Sequence, residues 1–204
     1  MNIAELFKEK TVFSFEVFPP KKESGVETIY QTLKDLKDLR PDFISVTYGA
    51  GGTGVANATT IDLCSKIKNE YHIETIAHLS CLYNTKESVD KILEQLKAKG
   101  IENILALRGD VNPDYEVKKD FQYASDLTEY ILAKNMGFYV SGACYPEVHQ
   151  EAENMVEDIK NLKKKVEAGA DHLISQLFFD NHAFYDFIEK VRIAGIDVPV
   201  EAGI

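Results

Sequence analysis

The chain has 204 residues, 45% hydrophobic and 27% charged, with a net charge of −10 at neutral pH. That length suits one domain with a real core, and the acidic balance argues against nucleic acid or an anionic membrane surface as a partner. No apolar run approaches the ~20 residues of a membrane span. The start, MNIAELFKEK, has no apolar export segment, so a cytoplasmic protein is expected.

Seven strand-like runs fall near 11–18, 42–48, 74–81, 103–109, 138–145, 172–179 and 198–203. Helical stretches separate them, near 24–39, 57–71, 85–99, 120–136, 150–169 and 181–194. The runs are too apolar for a one-sided sheet, which points to parallel strands covered by helices. Thr85 with Ser88 marks the start of the third helix, and Gly100, Gly137, Gly169 and Gly195 stand where helix C-caps belong. The pattern predicts an α/β protein, a parallel β/α (TIM-type) barrel, with residues 1–204 forming a single domain. Such a barrel has eight strands and needs ~250 residues. About seven are legible, so the chain is expected to be incomplete at its C-terminal end. Cys64, Cys81 and Cys144 lack metal-ligand spacing and read as reduced core thiols. The histidines show no ligand spacing either, and no metal site is expected.

Each run ends in chemically useful groups, and a β/α barrel gathers its strand C-termini into one mouth where active sites sit. On the first run Glu16 shares a face with Ser14, and Pro19-Pro20 ends the ladder. A carboxylate there is costly unless solvated, paired or protonated. It is either a general acid or half of an ion pair, with Arg108 as the candidate partner. On the second run Thr47 and Tyr48 lead into the turn Gly49-Ala50-Gly51-Gly52-Thr53-Gly54. Its glycines allow close approach to a ligand, but it matches no phosphate or dinucleotide fingerprint, and a loop with nothing bound fits equally.

His78 faces inward on the third run between Ile76 and Ser80, as a catalyst or a satisfied core residue. Arg108 and Asp110 close the fourth run two residues apart, with Gly109 between. Charges aimed into one mouth meet a polar ligand or each other. After the fifth run comes Tyr145-Pro146-Glu147-Val148-His149. In the helix that follows, Met155, Ile159, Leu162 and Val166 form the apolar stripe, with Glu153, Glu157, Lys160 and Lys164 opposite. Asn154, Asp158, Asn161 and Lys165 lie along the margin, which suits an elongated polar ligand or plain solvent. Gln176 on the sixth run offers the paired donor and acceptor that read a heterocycle's edge, or a structural hydrogen bond.

Several segments, taken in order across essentially the whole chain, resemble the 5,10-methylenetetrahydrofolate reductase family. They are FSFEVFPPK at 13–21, ISVTYGAGG at 44–52, AHLSC at 77–81, ALRGD at 106–110, YASDL at 123–127, YPEVH at 145–149, NLKKKVEAGAD at 161–171 and SQLFFD at 175–180. The resemblance implies a flavin adenine dinucleotide (FAD) enzyme of one-carbon metabolism and methionine biosynthesis. NADH or NADPH would reduce the flavin, which then passes a hydride to methylenetetrahydrofolate. It further implies that Glu16 protonates the folate, that Asp110 favours the cationic intermediate, and that Gln176 hydrogen-bonds the pterin. Thr47, Tyr48, His78, Leu107, Arg108, Gly109, Asp110, Tyr123, Ala124, Tyr145, His149, Ala152, Asp158, Asn161, Lys164 and Lys165 would line the FAD. A homo-oligomer is expected; the alternative is a non-catalytic flavin- or folate-binding relative acting as a partner subunit. Two stretches depart from the family. TGVANATT follows Gly52 where an arginine is common, and Ala202-Gly203-Ile204 replaces Pro-Gly-Ile.

Overall fold

Seven strands lie side by side in chain order, every neighbouring pair parallel. They are β1 (Ser14–Val17), β2 (Phe43–Val46), β3 (Glu74–Ser80), β4 (Asn103–Leu107), β5 (Tyr139–Cys144), β6 (His172–Ser175) and β7 (Val200–Glu201). Each connection carries a helix: α1 (Val26–Asp38), α2 (Gly54–Glu70), α3 (Lys86–Ala98), α4 (Ala124–Ala133), α5 (Met155–Glu167) and α6 (Asn181–Ile193). The computed structural model describes residues 1–20, 25–48 and 54–204, with side chains at all of these except 26 and 54–58. The chain therefore folds as a curled, seven-stranded β/α half-barrel, as the alternation predicts.

Strand periodicity sends side chains to the two faces of the sheet. Ile44, Val46, Ala77, Leu79, Ile104, Ala106 and Val140 face the helices and pack with Leu33, Ile67, Leu93, Leu96 and Leu127. Phe43, Ile76 and Leu105 face inward with Ile3, backed by Phe7, Val12, Leu107 and Ile174. The second group fills the barrel, and an N-terminal 3-10 helix (Ile3–Lys8) forms its floor. That helix went unpredicted, because six residues are too short for a periodic pattern. Asn103 holds it in place. Its Oδ1 accepts from Ile3 N (3.3 Å) and its Nδ2 donates to Met1 O (2.9 Å).

The curl brings β1 and β7 together across the interior, where Ser14 Oγ donates to Glu201 Oε1 at 2.5 Å. Behind Glu201 sits a fully buried His172, whose Nδ1 lies 3.1 Å from Ser141 Oγ. His172 Nε2 and Glu201 Oε2 are 3.6 Å apart, and neither has a hydrogen-bond partner among the described residues. The spacing would suit an ion pair, but burial holds His172 neutral and shifts Glu201 toward its protonated form. It depresses the His172 pKa to about 3 and raises Glu201 to about 7.

Helix ends follow the local chemistry. Thr85 Oγ1 accepts from Ser88 N (3.2 Å) and Ser88 Oγ from Thr85 N (2.9 Å), a reciprocal capping box. Two helices start later than their periodicity suggests. The Asp126 carboxylate accepts from Gln122 N and Tyr123 N, which delays α4 to Ala124. Asn154 Oδ1 accepts from Val156 N and Glu157 N, so α5 opens at Met155 and residues 150–154 are loop. Several strands also end earlier than the apolar runs. Gly109, at φ +88°, is in the left-handed region and turns the chain out of β4. Cys64, Cys81 and Cys144 are free and buried, with burial pushing each thiol up to about 12.

Candidate functional site

Glu16 is the last inward-facing residue of β1, in register with Ser45 of β2. Its carboxyl is 46% exposed, and one oxygen lies 3.6 Å from His78 Nε2 on β3. The His78 ring is buried, its pKa depressed to about 4, so it is a neutral imidazole. Its Nε2 has no hydrogen-bond partner among the described residues. Partial burial also raises the Glu16 pKa. A carboxyl half in water, of raised pKa and set against a neutral ring, is placed to hold and release a proton. Arg108, the ion-pair partner considered for Glu16, is engaged elsewhere.

Arg108, Gly109 and Asp110 follow β4 directly. Gly109 lies against Ser80, where an added Cβ would come within 3.2 Å of the serine Cβ. Cys81 N and Leu82 N donate to Arg108 O, tying this turn to the end of β3. Asp110 is exposed, and its carbonyl accepts from Tyr83 Oη (3.1 Å), which also accepts from Asn112 N (2.5 Å). Mutual pairing of Arg108 with Asp110, one of the two sequence expectations, is not what forms. The guanidinium instead grips Glu151 with two bonds of 2.6 Å each.

Beyond β5, the Tyr145 and His149 rings meet edge to face, with centroids 4.6 Å apart. Asp158 Oδ2 accepts from His149 N (2.9 Å), so a helix carboxylate fixes the loop backbone. Lys165 lies deeper than its marginal place on the helix wheel. It is largely buried, donates to Ala143 O (2.8 Å), and sits 5.7 Å from the Tyr145 ring centroid. Burial lowers its pKa and raises that of Tyr145. Lys164 is exposed and donates to Asn161 Oδ1 at 2.9 Å. Asn154 leaves the marginal stripe altogether, since it is the α5 cap. Ala152 stands in the loop before it, its N donating to His149 O.

Other candidates are spread around the same rim. Tyr48 Oη accepts from Asn84 Nδ2 (3.0 Å); Thr47 O accepts from Thr60 Oγ1 (2.9 Å). Leu107 is the half-buried last residue of β4. Tyr123 is exposed and Ala124 buried at the start of α4. Gln176 is exposed just past β6, and its Oε1 accepts from Leu177 N (3.2 Å). The glycine-rich turn at 49–53 and the side chains of the Gly51–Asn57 loop lie outside the described residues.

Three contributors were missed from sequence. Asn84 is buried and joins Tyr48, Ser80 O and Ser88 Oγ in one network. Its position directly before the Thr85 cap is the only local pointer to it. Tyr83 anchors the Asp110 loop, and Glu151 occupies Arg108; both depend on partners far along the chain.

The methylenetetrahydrofolate reductase family model matches residues 2–204. Curated relatives include "5,10-methylenetetrahydrofolate reductase" of Pectobacterium carotovorum (40% identity, 100% of this chain, 66% of the relative) and the protein of the same name from Escherichia coli K12 (39%, 94% and 63%). "Methylenetetrahydrofolate reductase 1" of Schizosaccharomyces pombe is 39% identical over 97% of this chain. The chain spans only 33% of that relative's length. Among solved structures, a Clostridium thermocellum protein described as binding two copies of 5-methyl-5,6,7,8-tetrahydrofolic acid superposes with a TM-score of 0.69. It covers 97% of this chain and 67% of its own, at 16% identity. A 2,3-dimethylmalate lyase gives 0.67 at 13% identity, over 98% of this chain and 70% of its own. At such identities the likeness is one of fold.

Proposed function

The chain belongs to the methylenetetrahydrofolate reductase family, and from that premise we propose that it is the catalytic barrel of a flavin-dependent reductase. In this reading 5,10-methylenetetrahydrofolate is reduced to 5-methyltetrahydrofolate with electrons from NADH or NADPH by way of FAD. The observation that carries it is Glu16, a half-exposed carboxyl of raised pKa set 3.6 Å from the neutral His78. Its place at the end of β1 and its raised pKa support the reading of an acid serving the folate.

The donor set suits FAD. Arg108 after β4, and the exposed Lys164 of α5, would supply positive charge for a diphosphate. The Nε2 of buried His78, without a hydrogen-bond partner among the described residues, offers a polar contact at the mouth. Tyr48 and the Tyr145–His149 pair supply flat surfaces. Thr47, Leu107, Gly109, Tyr123, Ala124, Ala152, Asp158, Asn161 and Lys165 complete the proposed cofactor-lining set. When bound and reduced, FAD supplies the hydride.

The protein's own share is proton transfer, charge and orientation. Glu16 donates its proton to the folate, promoting opening of the five-membered ring to an iminium ion, and is left as a carboxylate. Neutral His78 does not compete for that proton. Asp110, exposed past Gly109, stabilises the cation electrostatically. Gln176, at the end of β6, orients the pterin through its amide. Solubility, a cytoplasmic location and a homo-oligomeric state accompany this proposal.

The test is an absorption spectrum of the full-length protein. A flavin spectrum that NADH or NADPH bleaches, and methylenetetrahydrofolate restores, is expected. A protein that neither carries FAD nor takes it up would sink the reading. Flavin that is never reoxidised by the folate would point to a non-catalytic relative.

A further inference from the structure

Glu151 belongs to no part of the chemistry described above, yet the loop between β5 and α5 holds it in a defined place. Val148 in that loop is at φ +72°. His149 N is fixed by Asp158, Glu151 N donates to His149 Nδ1 (3.1 Å), and Ala152 N donates to His149 O (2.8 Å). From this base the carboxylate takes Arg108 in a two-pronged grip, Nη1 to Oε2 and Nη2 to Oε1. A guanidinium fork matches a carboxylate and a phosphate equally well. Both side chains keep contact with water, 25% exposed for Arg108 and 49% for Glu151. A pair of that kind is modestly held and exchangeable.

Building on the flavin reading, we propose that Glu151 is a resident competitor for the cofactor's diphosphate at Arg108. Binding then replaces one anion by another on the same guanidinium. Until that exchange, Glu151 keeps Arg108 extended and its charge compensated. Displaced, the carboxylate lies near the incoming diphosphate and opposes it. Glu151 therefore lowers the affinity for FAD, and the effect should be confined to ligands that carry phosphate.

The experiment titrates full-length apoprotein with FAD, followed by flavin fluorescence, and with riboflavin, which has no phosphate. Glu151→Gln should bind FAD about three- to tenfold more tightly than wild type, the span of an exposed two-pronged pair plus a removed repulsion. Glu151→Asp, too short to keep both bonds, should shift affinity in the same direction. Glu157→Gln, which removes an equal charge from a glutamate paired with Lys160 on α5, should leave it unchanged. Riboflavin affinity should be the same in all four proteins.

FAD binding that is equal or weaker in Glu151→Gln overturns the competition while leaving the flavin reading intact. A riboflavin effect of the same size, or an equal gain in Glu157→Gln, overturns it as well. Failure of every protein to bind FAD removes the flavin reading, and this inference with it.

Discussion

Glu201 Oε1 on β7 accepts a 2.5 Å hydrogen bond from Ser14 Oγ on β1, residues 187 apart in the chain. Its other oxygen stands 3.6 Å from His172 Nε2 without forming a bond. A carboxyl so placed is at ease only when protonated, and burial raises its pKa from 4.5 to about 7.

The sign of the resulting pH dependence follows directly. Between pH 4.5 and 7 the folded state holds a proton that the unfolded state has released, so stability falls as pH rises through that window and is flat above it. The full loss is about 3 kcal/mol. Glu201→Gln keeps an acceptor for Ser14 and places an amide near His172 Nε2. It should flatten the decline and raise stability at pH 8, read from urea unfolding at pH 5 and pH 8. An unchanged slope in the variant would mean that Glu201 ionises freely.

Glu16→Gln removes the proposed acid and keeps the shape. Flavin reduction by NADH or NADPH should be spared, while reoxidation by methylenetetrahydrofolate should fall about 10²- to 10⁴-fold. In the wild type, folate reduction should decline as pH rises through the raised Glu16 pKa. Stopped-flow measurement of the two half-reactions separates them. Equal loss in both would contradict the assigned role.

Asp110→Asn deletes a negative charge beside the proposed isoalloxazine. The flavin potential should rise, because the reduced anion is no longer opposed, and folate turnover should drop about 10- to 100-fold. A spectroelectrochemical titration gives the potential directly. No change there would place Asp110 away from the ring.

Asn103→Ala tests the floor. It strips Ile3 N of its acceptor and Met1 O of its donor at a buried site. Unfolding free energy should drop by about 1–3 kcal/mol, with little effect on flavin affinity, since Asn103 stands at the opposite strand end from the mouth. Calorimetry together with an FAD titration checks both halves. Full stability in the variant would show that the 3-10 helix is held by its apolar contacts alone.

Much of this architecture follows from local chemistry. The alternation in FSFE and TIAHLS put Glu16 and His78 on the inward face, because side chains reverse sides at every residue of a strand. Thr85 and Ser88 cap a helix with groups only three residues apart, and Gly109 turns the chain because it lacks a Cβ. The partners of charged groups are another matter. By helical periodicity Glu151 falls within the helix expected over 150–169, and Lys165 on its margin. The Asn154 cap instead leaves Glu151 in a loop that reaches Arg108, 43 residues away, and Lys165 turns beneath Tyr145. Ser14, Ser141, His172 and Glu201 share one interior only because the sheet curls. Periodicity fixes which face a residue takes; curvature, strand stagger and loop course decide what it meets there, and those depend on the packing of the whole barrel.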